Sequence, residues 1–205
     1  MQKRINIQIQ DCKVVKLDDI LRENFGPLTQ EEIDILSTYF HEEKLNKGEF
    51  FTQTNKFCKK LSILKTGLLR NYRLSNGQEI TQWIATPAYL VTEISSFFFD
   101  EPSRYDIQAL TPVALLTIDK TNYSKLSKEL PRWKNIETRF IAKCFMTLED
   151  RVFSHLSMTA EERYNLYFNN NKYLFNQVPL QYIASFLGMT PETFSRIRKR
   201  QAENS

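Results

Sequence analysis

The stretch from Pro179 to Arg200 constrains this chain more than any other, because a glycine stands between two short amphipathic segments. Ile183, Ala184 and Leu187 give the first segment an apolar face, and Gly188 sits where a chain can turn without a Cβ penalty. Thr190 is a suitable N-cap, Pro191 occupies the first helical position where a missing N–H costs nothing, and Phe194 and Ile197 continue the buried stripe. The pattern predicts a helix-turn-helix. Glu192, Thr193, Ser195, Arg196, Lys199 and Arg200 are left facing outward, and Thr190 joins them at the helix start. Such side chains can donate to phosphates and guanine edges, and a carboxylate can accept from cytosine N4, which is the chemistry of major-groove readout. A helical hairpin with a merely solvated basic face is the plain alternative. The small Ala184, the glycine at the turn and the cluster Arg196, Arg198, Lys199 and Arg200 favour contact with double-stranded DNA.

Further upstream the periodicity divides the chain. Leu28 to Leu36 carries a capping box at Thr29 and Glu32 with apolar residues at helical spacing, so it reads as a helix. After Lys47-Gly48-Glu49 the segments become short and β-like: 50–52, 61–64, 67–74, 79–84, 107–110 and 113–118. Lys65-Thr66-Gly67 and Ser75-Asn76-Gly77-Gln78 are tight turns between them, and Asn76-Gly77 is a strong hairpin signal. Closely spaced strands with glycine turns predict a compact antiparallel barrel or double-sheet roll. The aromatic run Phe97-Phe98-Phe99 reads as core packing, with the wall of an apolar pocket as the alternative.

From Pro131 a long helix is expected, with apolar side chains at Ile136, Phe140, Cys144, Phe145, Leu148, Val152 and Leu156 in a near-heptad stripe. That stripe suits a two-fold helix contact or a helix lying flat on the roll. Thr159 and Glu162 form a second capping box, and Tyr164, Leu166, Tyr167 and Phe168 are expected to pack beneath the helix-turn-helix. Any wing hairpin would fall in Tyr173 to Val178.

Length and composition exclude some classes. The chain has 205 residues, 41% of them hydrophobic, and a net charge of +4, which allows a phosphate-rich partner without demanding one. No apolar run approaches membrane-spanning length, and Met1-Gln2-Lys3-Arg4 leads into no signal-peptide core, so a cytoplasmic location is expected. Cys12, Cys58 and Cys144 are odd in number and widely spaced, which suits reduced thiols. His41 and His155 are isolated, and no metal site or metal-bearing cofactor is expected. No nucleophile–base pair or paired carboxylates stand out, so no catalytic residues are assigned and an enzyme is not expected.

The residues also carry a family resemblance. Residues 183–199, IASFLGMTPETFSRIRK, resemble the helix-turn-helix of the Crp/Fnr superfamily of bacterial transcription regulators, particularly a Bacteroidetes-like branch. Residues 64–84, LKTGLLRNYRLSNGQEITQWI, look like the front half of a cyclic-nucleotide-binding-type jelly roll, and residues 109–126 like its closing strands and exit helix. The resemblance implies an α+β chain: an N-terminal antiparallel double-stranded β-helix (jelly roll) with flanking helices over 1–130, a long dimerisation helix over 131–156, and a winged-helix-like helix-turn-helix domain over 157–205. It implies a homodimer joined through Ile136, Phe140, Cys144, Phe145, Leu148 and Val152, with RNA polymerase a candidate further partner. It implies base-edge contacts by Glu192 and Arg196; the arginine that often precedes the glutamate in the family is replaced by Pro191.

In sensing relatives a Gly-Glu step followed by an Arg-Ser pair holds the cyclic phosphate and ribose. Here the glycine is Thr92, Glu93 is retained, the arginine position falls nearer Pro102, and Ser103-Arg104 stand in reversed order. Thr92, Glu93, Ser103 and Arg104 are thus the candidate effector pocket, expected to be empty or repurposed for an unidentified small molecule rather than cyclic AMP. Iron–sulfur-binding relatives use a cysteine group near the N-terminus; only Cys12 lies there, and one thiolate cannot hold a cluster. The reading is a DNA-binding regulator of an inverted-repeat operator. The alternative is a signalling or scaffold protein that keeps the roll without touching DNA, and steep salt dependence of DNA binding separates the two.

Overall fold

The computed structural model describes residues 17–203, so Cys12 and the opening Met1-Gln2-Lys3-Arg4 lie outside the described residues. These residues fall into two compact units that divide between Leu148 and Glu149.

In the first unit two short helices, α1 (Leu17–Phe25) and α2 (Gln30–Tyr39), precede eight strands. The Thr29–Glu32 capping box forms as the sequence requires: Thr29 Oγ1 accepts from the Glu32 amide at 3.2 Å, and Glu32 Oε2 accepts from the Thr29 amide at 2.9 Å. The strands are β1 (His41–Leu45), β2 (Phe50–Thr52), β3 (Lys60–Thr66), β4 (Leu69–Ser75), β5 (Gln78–Ala85), β6 (Leu90–Val91), β7 (Asp106–Ala109) and β8 (Val113–Asp119). Helix α3 (Ile94–Phe99) lies between β6 and β7, and α4 (Lys120–Glu129) follows β8. They build two antiparallel four-stranded sheets, ordered β1-β8-β3-β6 and β2-β7-β4-β5.

The first sheet is apolar on both faces. Leu61, Ile63, Leu116 and Ile118 pack with Ile20, Leu21, Ile33, Leu36 and Leu126 of the helices, whereas Leu64, Leu115 and Val113 pack with Leu69, Ile107 and Ala109 of the opposite sheet. Burial on both faces explains why 61–64 reads as a nearly continuous apolar run instead of an alternating one. The hairpin between β4 and β5 is the predicted two-residue turn, with Asn76 at φ 50° and Gly77 at φ 77°. Gly67 is required twice over: its φ is +88°, and a Cβ there would lie 2.3 Å from the Pro112 carbonyl oxygen.

Several expectations change. Strand β1, His41-Glu42-Glu43-Lys44-Leu45, carries little apolar signal; among the described residues it is an edge strand paired with β8 alone. The aromatic run is not core as a whole. It is the end of α3, where Phe97 is buried against Tyr123 while Phe98 is partly exposed and Phe99 is 71% exposed.

Helix α5 (Trp133–Ser157) is 25 residues long, about 37 Å at 1.5 Å per residue. Its first turns belong to the first unit's own core: Trp133 and Ile136 are buried, and the Phe140 ring lies 5.5 Å from that of Phe25. Ile136 is therefore removed from the expected intersubunit contact, and Phe140 is largely committed to its own core. Beyond Phe140 the helix turns its apolar residues outward.

The second unit is helical: the last turns of α5, then α6 (Ala160–Asn170), α7 (Leu174–Gln177), α8 (Leu180–Phe186) and α9 (Pro191–Glu203). The Thr159–Glu162 capping box starts α6. Tyr164, Phe168, Phe175 and Phe194 form an edge-on and stacked ring cluster with centroids 4.9 to 6.0 Å apart. Tyr167 reaches Phe186 at 5.1 Å, so Tyr164 and Tyr167 lie against the hairpin as expected, while Phe168 packs on Tyr164 and Phe175. Leu166 departs from the expectation; it is 48% exposed. The segment considered for a wing is α7, a single helical turn, and among the described residues no strand follows Asp119, so the second unit shows no wing.

Candidate nucleic-acid interface and effector pocket

The helix-turn-helix is built by its termini. Helix α8 ends in a left-handed Gly188, φ +68°, with Gly188 N–H donating to the Ser185 carbonyl at 3.0 Å and Met189 N–H to the Ala184 carbonyl at 2.9 Å. Thr190 then caps α9, its Oγ1 accepting from the Thr193 amide at 3.2 Å. Thr190 and Thr193 are thus first of all the cap. Ile183 and Ala184 of α8, Leu187 at its C-cap, and Phe194 and Ile197 of α9 are all buried.

The opposite face of α9 is open. Glu192, Ser195, Arg196 and Lys199 are exposed and share one face at i, i+3, i+4 and i+7. The Glu192 backbone amide and the Thr190 hydroxyl hold the Glu192 carboxyl below its ordinary pKa, so it stays an acceptor at neutral pH. Arg200 stands on the flank and is engaged, 3.4 Å from Glu161 of α6, which also accepts from Gln201 at 2.9 Å. Lys199 lies 4.0 Å from Glu203. Both pairs are solvent-exposed, so a phosphate can displace the carboxylate at small cost.

The candidate effector residues are arranged differently. Glu93 is 3% exposed and serves as the N-cap of α3: Oε2 accepts from the Ser96 amide at 2.8 Å and from the Ser95 hydroxyl at 2.7 Å. Its other oxygen lies 3.7 Å from Arg104 Nε. The reversed Ser103-Arg104 order therefore still delivers a guanidinium to Glu93. Thr92 Oγ1 donates to the Lys60 carbonyl at 2.9 Å, and Ser103 Oγ is 3.1 Å from Thr52 Oγ1. The structure brings Glu93 and Arg104 together and ties Thr92 and Ser103 to the strands beside them.

On α5 the residues Ile141, Phe145, Leu148, Val152 and Leu156 form a single exposed stripe, 45 to 81% accessible, with Cys144 exposed on its flank. Five large apolar side chains on one solvent-facing line are far more than scattered surface residues. Among the described residues no helix is long and apolar enough to cross a membrane.

Residues 42–129 match the model of the cyclic nucleotide-binding domain. Solved structures extend the likeness beyond the domain. The N-terminal domain of a transcriptional regulator from Streptomyces coelicolor A3(2) is 25% identical, with 65% of this chain and 94% of that one covered and a TM-score of 0.55. FixK2 from Bradyrhizobium japonicum is 18% identical over 80% of this chain and 85% of its own, with a TM-score of 0.65. The catabolite activator protein of Thermus thermophilus is 23% identical over 88% and 86%, with a TM-score of 0.54. Among curated proteins none matches the chain. The chain has the α+β fold of the Crp/Fnr-type regulators, with a cyclic nucleotide-binding domain in its first unit.

Within that domain one interior residue escaped the sequence reading. Arg70 is 1% exposed on β4, its Nε donating to Thr81 Oγ1 at 3.0 Å, with Glu79 at 2.5 Å and the Tyr72 ring at 4.2 Å. An alternating strand pattern marks position 70 as outward and therefore solvated, and only the paired strand β5 shows that its charge is matched.

Proposed function

We propose that this chain is a DNA-binding transcriptional regulator of the Crp/Fnr type that binds an inverted-repeat operator as a homodimer. The observation that carries the proposal is α9: one face, Phe194 and Ile197, is fixed in the core, and the other presents Glu192, Ser195, Arg196 and Lys199 unobstructed. A glycine turn of this kind places the second helix for insertion in a major groove, with base-edge contacts near its start and phosphate contacts further along. Arg196 and Glu192 read bases in this scheme; Lys199, Ser195 and, after release from Glu161, Arg200 hold phosphates. Thr190 and Thr193 fix the helix start and offer hydroxyls at its edge.

The homodimer rests on the α5 stripe, with Phe145, Leu148 and Val152 central and Cys144 flanking. A two-fold contact there places two recognition helices about 34 Å apart, one DNA turn. The roll is the regulatory part, and its effector is an unidentified small molecule other than cyclic AMP. The proposed domains are the roll over 1–130, the dimer helix over 131–156 and the DNA-binding part over 157–205, acting inside the cell with RNA polymerase as a further partner.

Gel-shift titration against genomic fragments at increasing salt tests the proposal. A log-affinity that falls linearly with log salt is expected, with a slope that drops by about one in Lys199→Ala. A chain that binds no fragment even at low salt would instead be a signalling or scaffold protein.

A further inference from the structure

We infer that Arg151 and Arg163 are positioning residues that lock the turn of the helix-turn-helix to the end of the long helix, so that the orientation of α5 sets that of the recognition helix. The inference rests on the proposed DNA binding for its consequence but on side-chain geometry for its mechanism. The turn after α8 satisfies its own amides, yet the last carbonyls of a helix have no partner within it. At the end of α8 those are the carbonyls of Phe186 and Leu187, and each is taken by an arginine from a different helix. Arg151 of α5 donates through Nη2 to the Phe186 carbonyl at 3.3 Å and lays its guanidinium over the Phe186 ring at 4.4 Å. Arg163 of α6 donates through Nε to the Leu187 carbonyl at 3.0 Å and through Nη1 to the Met158 carbonyl at 2.7 Å, at the joint between α5 and α6.

A third side chain fills the same place. His155 follows Arg151 by one helical turn, donates from Nδ1 to the Arg151 carbonyl at 2.9 Å, and sets its ring against the turn, where a Cβ on Gly188 would lie 3.4 Å from it. Two cations at the C-terminal end of α8 also match its dipole. Burial lowers the pKa of Arg151, as expected for a guanidinium largely withdrawn from water.

Arg151 and His155 occupy the flank of α5 next to the stripe of Leu148, Val152 and Leu156, at i and i+4. One short piece of helix thus carries the apolar seam on one side and the grip on the turn on the other. A rotation of that piece moves Arg151 and with it the Phe186 carbonyl, while Arg163, tied to the Met158 carbonyl at the joint, holds the Leu187 carbonyl. An ordinary surface arginine lacks this effect, because it holds one group and stacks on nothing.

The test uses the full chain with Arg151→Gln, Arg163→Gln and the conservative Arg151→Lys. Hydrogen exchange is followed in peptides covering 184–190, in α6 and in the roll, and operator affinity is measured on a panel in which the half-site spacing varies by one base pair either way. In both Gln variants exchange in 184–190 should quicken at least tenfold while the roll keeps wild-type rates. Preference for the best spacing should flatten at least fivefold, with random-sequence DNA bound within twofold of wild type. Arg151→Lys keeps the charge but not the planar stack and should fall between. Unchanged exchange at the turn, or an affinity loss equal at all spacings, overturns the inference. If the wild-type chain binds no DNA, the proposed function fails and the exchange result alone decides the clamp.

Discussion

The recognition helix and the cassette of the roll both gather polar side chains at a helix start, and they treat them in opposite ways. At α9 a threonine caps the helix, so the acidic and basic residues behind it face solvent, and the ion pairs that Lys199 and Arg200 make are exposed ones that a phosphate can displace. At α3 the acidic residue is itself the cap: Glu93 takes the Ser96 amide and the Ser95 hydroxyl, and its remaining oxygen meets Arg104. A carboxylate already fills the place where an incoming anion would find free amides. The lesson is that residue type near a helix start does not make a binding site. What counts is whether the hydrogen-bonding capacity is still available after folding.

The largest effect should come from separating the two copies of the open surface. Phe145→Glu or Leu148→Glu places a charge in the middle of the α5 stripe without touching the core that holds Ile136 and Phe140. Sedimentation should show monomers, and operator affinity should drop by about 10²- to 10⁴-fold as the second half-site is lost as a tethered neighbour. An unchanged dimer in both variants would remove the stripe from the interface and leave the recognition helix unpaired.

Next in size is the base contact itself. Arg196→Ala should cost about 1 to 3 kcal/mol on the preferred operator and relax the preference at one base pair, because a bidentate contact to guanine is lost. An equal loss on random DNA would demote Arg196 to a phosphate contact, and the open face of α9 would then carry affinity without specificity.

A smaller effect separates the two helix starts directly. Glu93→Ala should lower stability by about 1 kcal/mol, the usual cost of removing an N-cap, as read by urea denaturation. Nothing of the kind is expected from Glu192→Ala, since Thr190 caps α9. Equal stabilities for the Glu93 variant and the wild type would mean that the buried carboxylate is not held by α3, and the contrast between the two sites would collapse.

Legibility in the sequence follows the range of the interaction. The capping boxes at Thr29 and Thr159, the Asn76-Gly77 hairpin and the Thr190-Pro191 start are settled within four residues of chain, and each stands where the local chemistry demands. Strand β1 is unreadable because its residues are mostly charged and its strand character comes entirely from pairing with β8, far along the chain. Glu93 carries the same ambiguity: a carboxylate before a short helix is equally a ligand remnant or a cap, and Arg104 enters only once the loop is closed. Arg151 and Arg163 are illegible for a plainer reason, lying 35 and 24 residues from the carbonyls they hold. The stripe on α5 was visible as a period, but the sequence could not show that its first member, Ile136, is used inward.

The last expectation is an absence of response. Cyclic AMP and cyclic GMP should give no heat in titration calorimetry with the full chain, and neither should alter operator affinity. The phosphate of either nucleotide would approach the start of α3, where Glu93 holds the Ser96 amide and presents its own negative charge. Arg104 is present, but 3.7 Å from Glu93 its charge is already partly answered, and recruiting it means uncovering a carboxylate that is 3% exposed. Leaving such a charge buried without its partner is costly. The threonine in place of the glycine adds a side chain that is tied to the Lys60 carbonyl, beside the backbone a phosphate would need to reach. Micromolar binding abolished by Arg104→Ala would show that the Glu93–Arg104 pair opens readily, and that the cassette, like the recognition helix, keeps its hydrogen-bonding capacity for a ligand.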